Sequence, residues 1–108
     1  MNIFDLPTLP CRAGACPRRD LPEELITVLA QQNNVKIERI VSCGQTTDWQ
    51  EQEQSEFVVL VQGNAVLEFE NSKKTLTQGD TLLIQPRQRH RVGFTSADPP
   101  CIWLCIFF

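Results

Sequence analysis

The sequence contains a single histidine, His90, and that scarcity limits the chemistry open to it. A structural zinc site needs four Cys or His ligands, normally in closely spaced pairs. Cys11 and Cys16 are separated by four residues, wider than the usual redox or zinc pair. The five cysteines (Cys11, Cys16, Cys43, Cys101 and Cys105) are odd in number and read as small hydrophobes in a reducing compartment. Positive charge is also scarce. The formal net charge is -3, which leaves no electrostatic footprint for nucleic acid or anionic lipid. No apolar run is long: the longest, Cys101 to Phe108, is eight residues, against the roughly 20 needed to span a bilayer. Met1 to Pro10 lacks a basic region followed by an apolar core, so no secretory signal is read and a cytoplasmic location is expected. There is no nucleophile triad, phosphate loop or dinucleotide fingerprint, because Gly63-Asn64 and Gly79-Asp80 are turns. These absences argue against nucleic acid and membrane as partners.

What is present suits one structural domain of 108 residues with one core. Residues 1–34 read as an N-terminal arm followed by a short helix. Pro7, Pro10, Gly14 and Pro17 keep the arm extended. Asp20 is placed to cap a helix with Glu23 as its capping-box partner, and Leu21, Leu25, Val28 and Leu29 recur at helical spacing as far as Asn33-Asn34. From residue 35 to 108 the period becomes two. Val35, Ile37, Arg39, Val41 and Cys43 share one strand face. Further strands are expected over Glu56 to Gln62, Ala65 to Glu70, Thr81 to Ile84, His90 to Phe94 and Cys101 to Phe108. Gly63-Asn64, Asn71 to Lys74 and Gln78 to Asp80 are turns between them. Short strands at regular intervals indicate an all-β sandwich or barrel.

Two spacings are more specific. Gly44 is followed by five residues, then Gln50-Glu51-Gln52, three residues, Glu56, six residues and Gly63. Gly79-Asp80 is followed by Pro86, and His90 lies eleven residues after Gly79. These frameworks resemble the two motifs of the cupin superfamily, with glutamine in place of both histidines of the first motif. The glycine that follows the proline of the second motif is also missing here, and Phe94 stands where asparagine is common. The stretches Gln52 to Phe57, Val61 to Gly63, Gln85-Pro86, Arg89 to Val92 and Trp103-Leu104 resemble small stand-alone bacterial cupin-2 proteins. The resemblance implies a jelly-roll barrel (a double-stranded β-helix) over residues 35–108, and a homodimer.

By position, the resemblance puts Gln50, Gln52, Glu56 and His90 at the barrel mouth, where related proteins bind a divalent metal. Gln52, Glu56 and His90 are then the candidate metal ligands for Zn, Fe, Mn or Ni, although the sequence does not require a metal. One imidazole, one carboxylate and amides are a poor transition-metal set. Residues 50, 52 and 56 point to one side if that stretch is a regular strand. Arg39 is a further ligand-binding candidate: it either pairs with Glu56 in the interior or faces the cavity and binds an anion. Arg87, Arg89 and Arg91 surround His90 and are too few to argue for nucleic acid. Three functions remain open. One is a binding module for a small polar or anionic molecule with weak metal binding. The second is a metalloenzyme (isomerase, lyase or oxygenase) using Glu56 and His90. The third is a structural homodimeric subunit.

Overall fold

The computed structural model describes residues 1–6 and 24–108. Eight strands occur in the order β1 (Leu25–Gln32), β2 (Val35–Ser42), β3 (Glu56–Gln62), β4 (Ala65–Phe69), β5 (Ser72–Leu76), β6 (Thr81–Ile84), β7 (His90–Thr95) and β8 (Cys101–Phe107). They form a five-stranded sheet, β1-β2-β8-β3-β6, facing a three-stranded sheet, β5-β4-β7. All pairings are antiparallel. Alternate residues of both sheets meet in one core: Val58 and Leu60 from β3, Leu67 and Phe69 from β4, Ile84 from β6, Val92 from β7, and Trp103 and Cys105 from β8. This is the aligned two-sheet packing that period-two patterning produces.

The expected N-terminal helix is not found. The stretch that carries its apolar spacing is strand β1, paired with β2 from Leu25↔Val41 to Gln32↔Val35. The proposed cap and first turn, Asp20 to Glu23, lie outside the described residues, as do Cys11 and Cys16. The physical reason lies in Ile26-Thr27-Val28, where two β-branched residues flank a third. Their stiff χ1 angles favour the pleated backbone. Leu25, Thr27 and Leu29 alternate with more exposed neighbours, which is strand periodicity. Asn33-Asn34 is a hairpin turn, with Asn33 at φ 55°. The sheet therefore takes in chain from residue 25 onward. Strand β5 was also hidden within an expected turn, because only Leu76 of its five residues is buried and no alternation marks it. No helix occurs among the described residues, so none is long and apolar enough to cross a membrane.

Two turns show how the motif spacing is read out in backbone geometry. Gly63, at φ 98°, joins β3 to β4 where a Cβ would lie 2.8 Å from Ser96 Oγ and 2.9 Å from Cys101 Cα. Only glycine meets both the conformation and the space. Arg87 follows Pro86, where the resemblance calls for glycine, and it is held at φ 61°. An L-residue in that region costs roughly 1–2 kcal/mol. Arg87 has little to offset this, since its contact with Glu53 is 3.4 Å long and both side chains are largely exposed. Arg87→Gly is therefore expected to raise stability by roughly 0.5 kcal/mol, the strain relieved less the chain entropy glycine adds to the unfolded state. Urea midpoints of the two proteins measure this, and an unchanged or lower midpoint would show that position 87 is unstrained.

Candidate functional site

Between the sheets lies a small cavity lined by Glu24, Ile40, Thr47, Gln50, Glu56, Val58, Leu67, Ile84, His90, Val92, Trp103 and Cys105. The segment 45–50 helps to wall it by running beside β7. Thr47 N–H donates to Val92 O at 3.0 Å, and Thr47 Oγ1 accepts from Val92 N–H at 2.9 Å. Gln50 and His90 exchange backbone hydrogen bonds of 2.8 and 2.9 Å. Ser55 and Phe108 do likewise, which carries the segment across to the other sheet.

His90 opens β7 and is 3% exposed. Its Nδ1 lies 2.8 Å from Gln88 O. A carbonyl only accepts, so Nδ1 carries a proton, and Nε2 is the ring atom left facing the cavity. That Nε2 stands 3.8 Å from Glu56 Oε1, too far for a direct hydrogen bond and suited to a bridging hydroxyl or water. Glu56, at the start of β3, also accepts from Gln52 Nε2 at 3.2 Å and from the Cys105 thiol. Burial pushes the Glu56 carboxyl above the ordinary carboxylate range. The Cys105 thiol, His90 and Gln52 partly offset this, and the charge of Glu38 adds to it. Burial, reinforced by Glu56, holds the Cys105 thiol well above its ordinary range, so it is a thiol and not a thiolate.

The structure thus brings Gln50, Glu56 and His90 together at the cavity, with Gln52 touching Glu56 from the side. They do not share a face through strand parity: β3 begins only at Glu56, and the bridge to His90 places Gln50. Arg39 is not in this group. Residues 35, 37, 39, 41 and 43 share a face, but it is the outer one. Val41 and Cys43 pack there against Leu6 and Leu25. The Arg39 guanidinium donates to Ile3 O, Asp5 O and Thr27 Oγ1 at 3.3, 2.7 and 3.3 Å. The expected Glu56–Arg39 pair does not form. Both faces of β2 are buried, so alternation alone does not say which one meets the cavity.

Two cavity residues carried no motif. Cys105 follows Trp103 at strand spacing, which is the only sequence signal for it. Glu24 lies just before β1, where the sequence suggested a helix. Its Oε2 accepts from Ser42 Oγ at 2.8 Å, and Ser42 in turn accepts from Trp103 Nε1 at 3.1 Å. Burial raises the Glu24 carboxyl and the Ser42 hydroxyl opposes this.

The donor set does not fit a transition metal. It offers one imidazole, two carboxyls with raised proton affinity, an amide and a protonated thiol. Among the described residues, no group of three or more His, Cys, Asp or Glu is arranged to hold an ion.

The fold is an eight-stranded all-β jelly roll whose interior cavity mixes apolar side chains with a few polar ones. The cupin domain model matches residues 39–107, and the chain belongs to the cupin family. No curated protein matches the chain. Among solved structures, it is similar to a Ralstonia eutropha JMP134 protein named a "putative mannose-6-phosphate isomerase". Identity is 31%, coverage is 99% of this chain and 94% of that one, and the TM-score is 0.82. It is also similar in fold to a cupin superfamily protein of Desulfitobacterium hafniense DCB-2 (23% identity, 81% and 78% covered, TM-score 0.71). KdgF from Halomonas sp. shares the fold likewise (18%, 80% and 80%, TM-score 0.71).

Glu24 and Glu56 both bind protons more tightly folded than free, so they favour the fold most when protonated. That contribution is complete below the unfolded carboxylate range and is lost as pH rises through the raised folded values. The Glu24→Gln/Glu56→Gln double variant is accordingly expected to match the wild type in stability at acid pH and exceed it increasingly towards pH 7. Urea unfolding across that range tests this, and a variant less stable at pH 7 would contradict it.

Proposed function

We propose that this chain binds a small, uncharged polar molecule in the barrel cavity, using Glu56 and His90 and no transition metal. The observation that carries this reading is the bare Nε2 of His90 facing Glu56 across 3.8 Å. A ligand hydroxyl there donates its one proton to Nε2 or to the carboxylate, and adjacent hydroxyls of one ligand can serve both. The carbonyl or ring of such a ligand would rest against Trp103, Leu67 and Val92. The name of the Ralstonia protein associates this fold with a sugar phosphate; sugar hydroxyls match the chemistry here, whereas a phosphate finds no cation among the described lining residues. Acid/base catalysis on that ligand is a second reading. It is favoured by a carboxyl of raised proton affinity beside an imidazole, the residue types that general acid/base catalysis uses.

Calorimetry and thermal unfolding with a panel of neutral monosaccharides and polyols test the reading. A ligand at 100 times its Kd adds about 2.7 kcal/mol, a rise in Tm on the order of 10 °C for a domain of this size. Glu56→Gln and His90→Ala are expected to abolish that rise. Zn, Mn, Fe or Ni salts are expected to give none. A chelator-reversible rise with one of them, lost in His90→Ala, would overturn the metal-free reading.

We further propose a homodimer. The outer face of the five-stranded sheet carries Phe57, Val59, Leu83, Leu104 and Ile106 in adjacent register, with Phe108 beyond them. Leu83 and Phe108 are 43% and 53% exposed. An apolar patch of this kind, with Arg39 at its border opposite Leu104, suits a self-complementary two-fold contact. Sedimentation is expected to show a dimer at micromolar concentration that Leu83→Glu dissociates, and a wild-type monomer would refute it.

A further inference from the structure

Glu24 lies outside the residues matched by the cupin model, 39–107, yet its side chain lines the cavity. Its orientation is fixed by donors that cannot reverse. The indole N–H of Trp103 only donates, so Ser42 Oγ accepts there and turns its one proton to Glu24 Oε2. Trp103 is 4% exposed and Ser42 is fully buried, so the chain is rigid. Packing does not require the charge. Burial disfavours the carboxylate, and a glutamine carbonyl would accept the Ser42 proton equally well.

A second observation points to a ligand in the same space. His90 is almost completely buried, its Nε2 has no hydrogen bond, and it faces the same cavity. Electrostatics narrow the class of ligand. Glu24 and Glu56 line the cavity, and Glu38 adds its charge nearby: the Cys105 thiol senses all three. No Lys or Arg lines the cavity among the described residues. The neighbouring arginines are committed elsewhere. Arg39 is on the outer face, Arg91 is bound to Glu68 at 2.8 Å, Arg87 leans on Glu53, and Arg89 stacks on Trp49.

We propose that Glu24 is a specificity-determining residue, accepting hydroxyls of a neutral polyhydroxyl ligand and excluding its phosphorylated or carboxylated analogues. This rests on the small-molecule reading above and names the class of ligand within it. With the Glu24 carboxyl ionised, repulsion between unit charges roughly 6–12 Å apart at an effective dielectric of about 20 is worth roughly tenfold to hundredfold in affinity.

The test is calorimetry on the full chain at pH 8 with glucose, galactose and mannose, each beside its 6-phosphate and its uronic acid. The wild type is expected to bind a neutral sugar at least tenfold more tightly than its two anionic analogues. Glu24→Gln, which keeps the Ser42 hydrogen bond, is expected to hold the neutral sugar within a few-fold and to shrink that preference tenfold or more. Ser42→Ala, which keeps the charge, is expected to retain the preference. Glu24→Ala replaces Glu24→Gln should the amide fail to fold. An unchanged preference in the Glu24 variant, with binding still lost in His90→Ala, overturns this inference alone. Tighter wild-type binding of the phosphate or the acid also overturns it. Wild-type binding of none of the nine sugars overturns it together with the reading it rests on.

Discussion

Strand β8 is hydrogen-bonded along both edges, to β2 and to β3, and its middle residues are buried on both faces. That double constraint fixes its register, because a slip of one residue would exchange the side chains of two packed faces. The site is assembled from this reference. Trp103 reaches Ser42 on β2, which positions Glu24. Two residues on, Cys105 reaches Glu56 at the start of β3. At the end of the chain, Phe108 exchanges backbone bonds with Ser55 and ties down the segment that carries Gln50 and Gln52. The dense apolar composition of Cys101 to Phe108 is thus both a stability feature and the ruler against which the polar groups are set.

The cavity's polar groups are held at a cost. Two carboxyls are driven towards their neutral forms by burial, and a thiol is kept protonated by the same burial and by one of those carboxyls. Interior acids of this kind weaken a fold unless paired, and no cation lines the cavity among the described residues. The basic side chains near it serve other contacts. Arg91 and Glu68 lie over Gly93, where any Cβ would meet the Glu68 carboxylate. Arg39 secures Ile3 and Asp5 to the outer face of β2. Acids thus line the cavity while the neighbouring arginines make their contacts elsewhere, and the two further imidazoles that would support metal chemistry are absent.

Much of this was legible in the sequence, for identifiable reasons. The spacing Gly44, Glu56, Gly63 and Gly79, His90 located the two strands, β3 and β7, that deliver the principal polar pair. Those spacings reflect backbone geometry, and Gly63 shows why one of them tolerates no side chain. The missing glycine at position 87 was visible as a departure, and its consequence is a left-handed arginine. Other features were not legible. Leu25, Val28 and Leu29 fit a helix and a strand equally, and only the unpaired edge of β2 decided between them. Ser72 to Thr75 have no buried face, so β5 left no pattern.

The sequence by itself determined that the chain is an all-β cupin barrel, that one imidazole and one carboxylate stand at its polar centre, and that the usual metal-binding histidines are absent. These follow from periodicity, turn residues and side-chain identity, which are local properties. The tertiary structure decided which face of β2 meets the cavity, sending Arg39 outward and Ser42 inward. It also decided that Glu24, thirty-two positions before Glu56 in the chain, lines the same cavity. Those outcomes depend on how two sheets close around a core. Where both faces of a strand are apolar enough to bury, only that closure assigns one of them to the ligand.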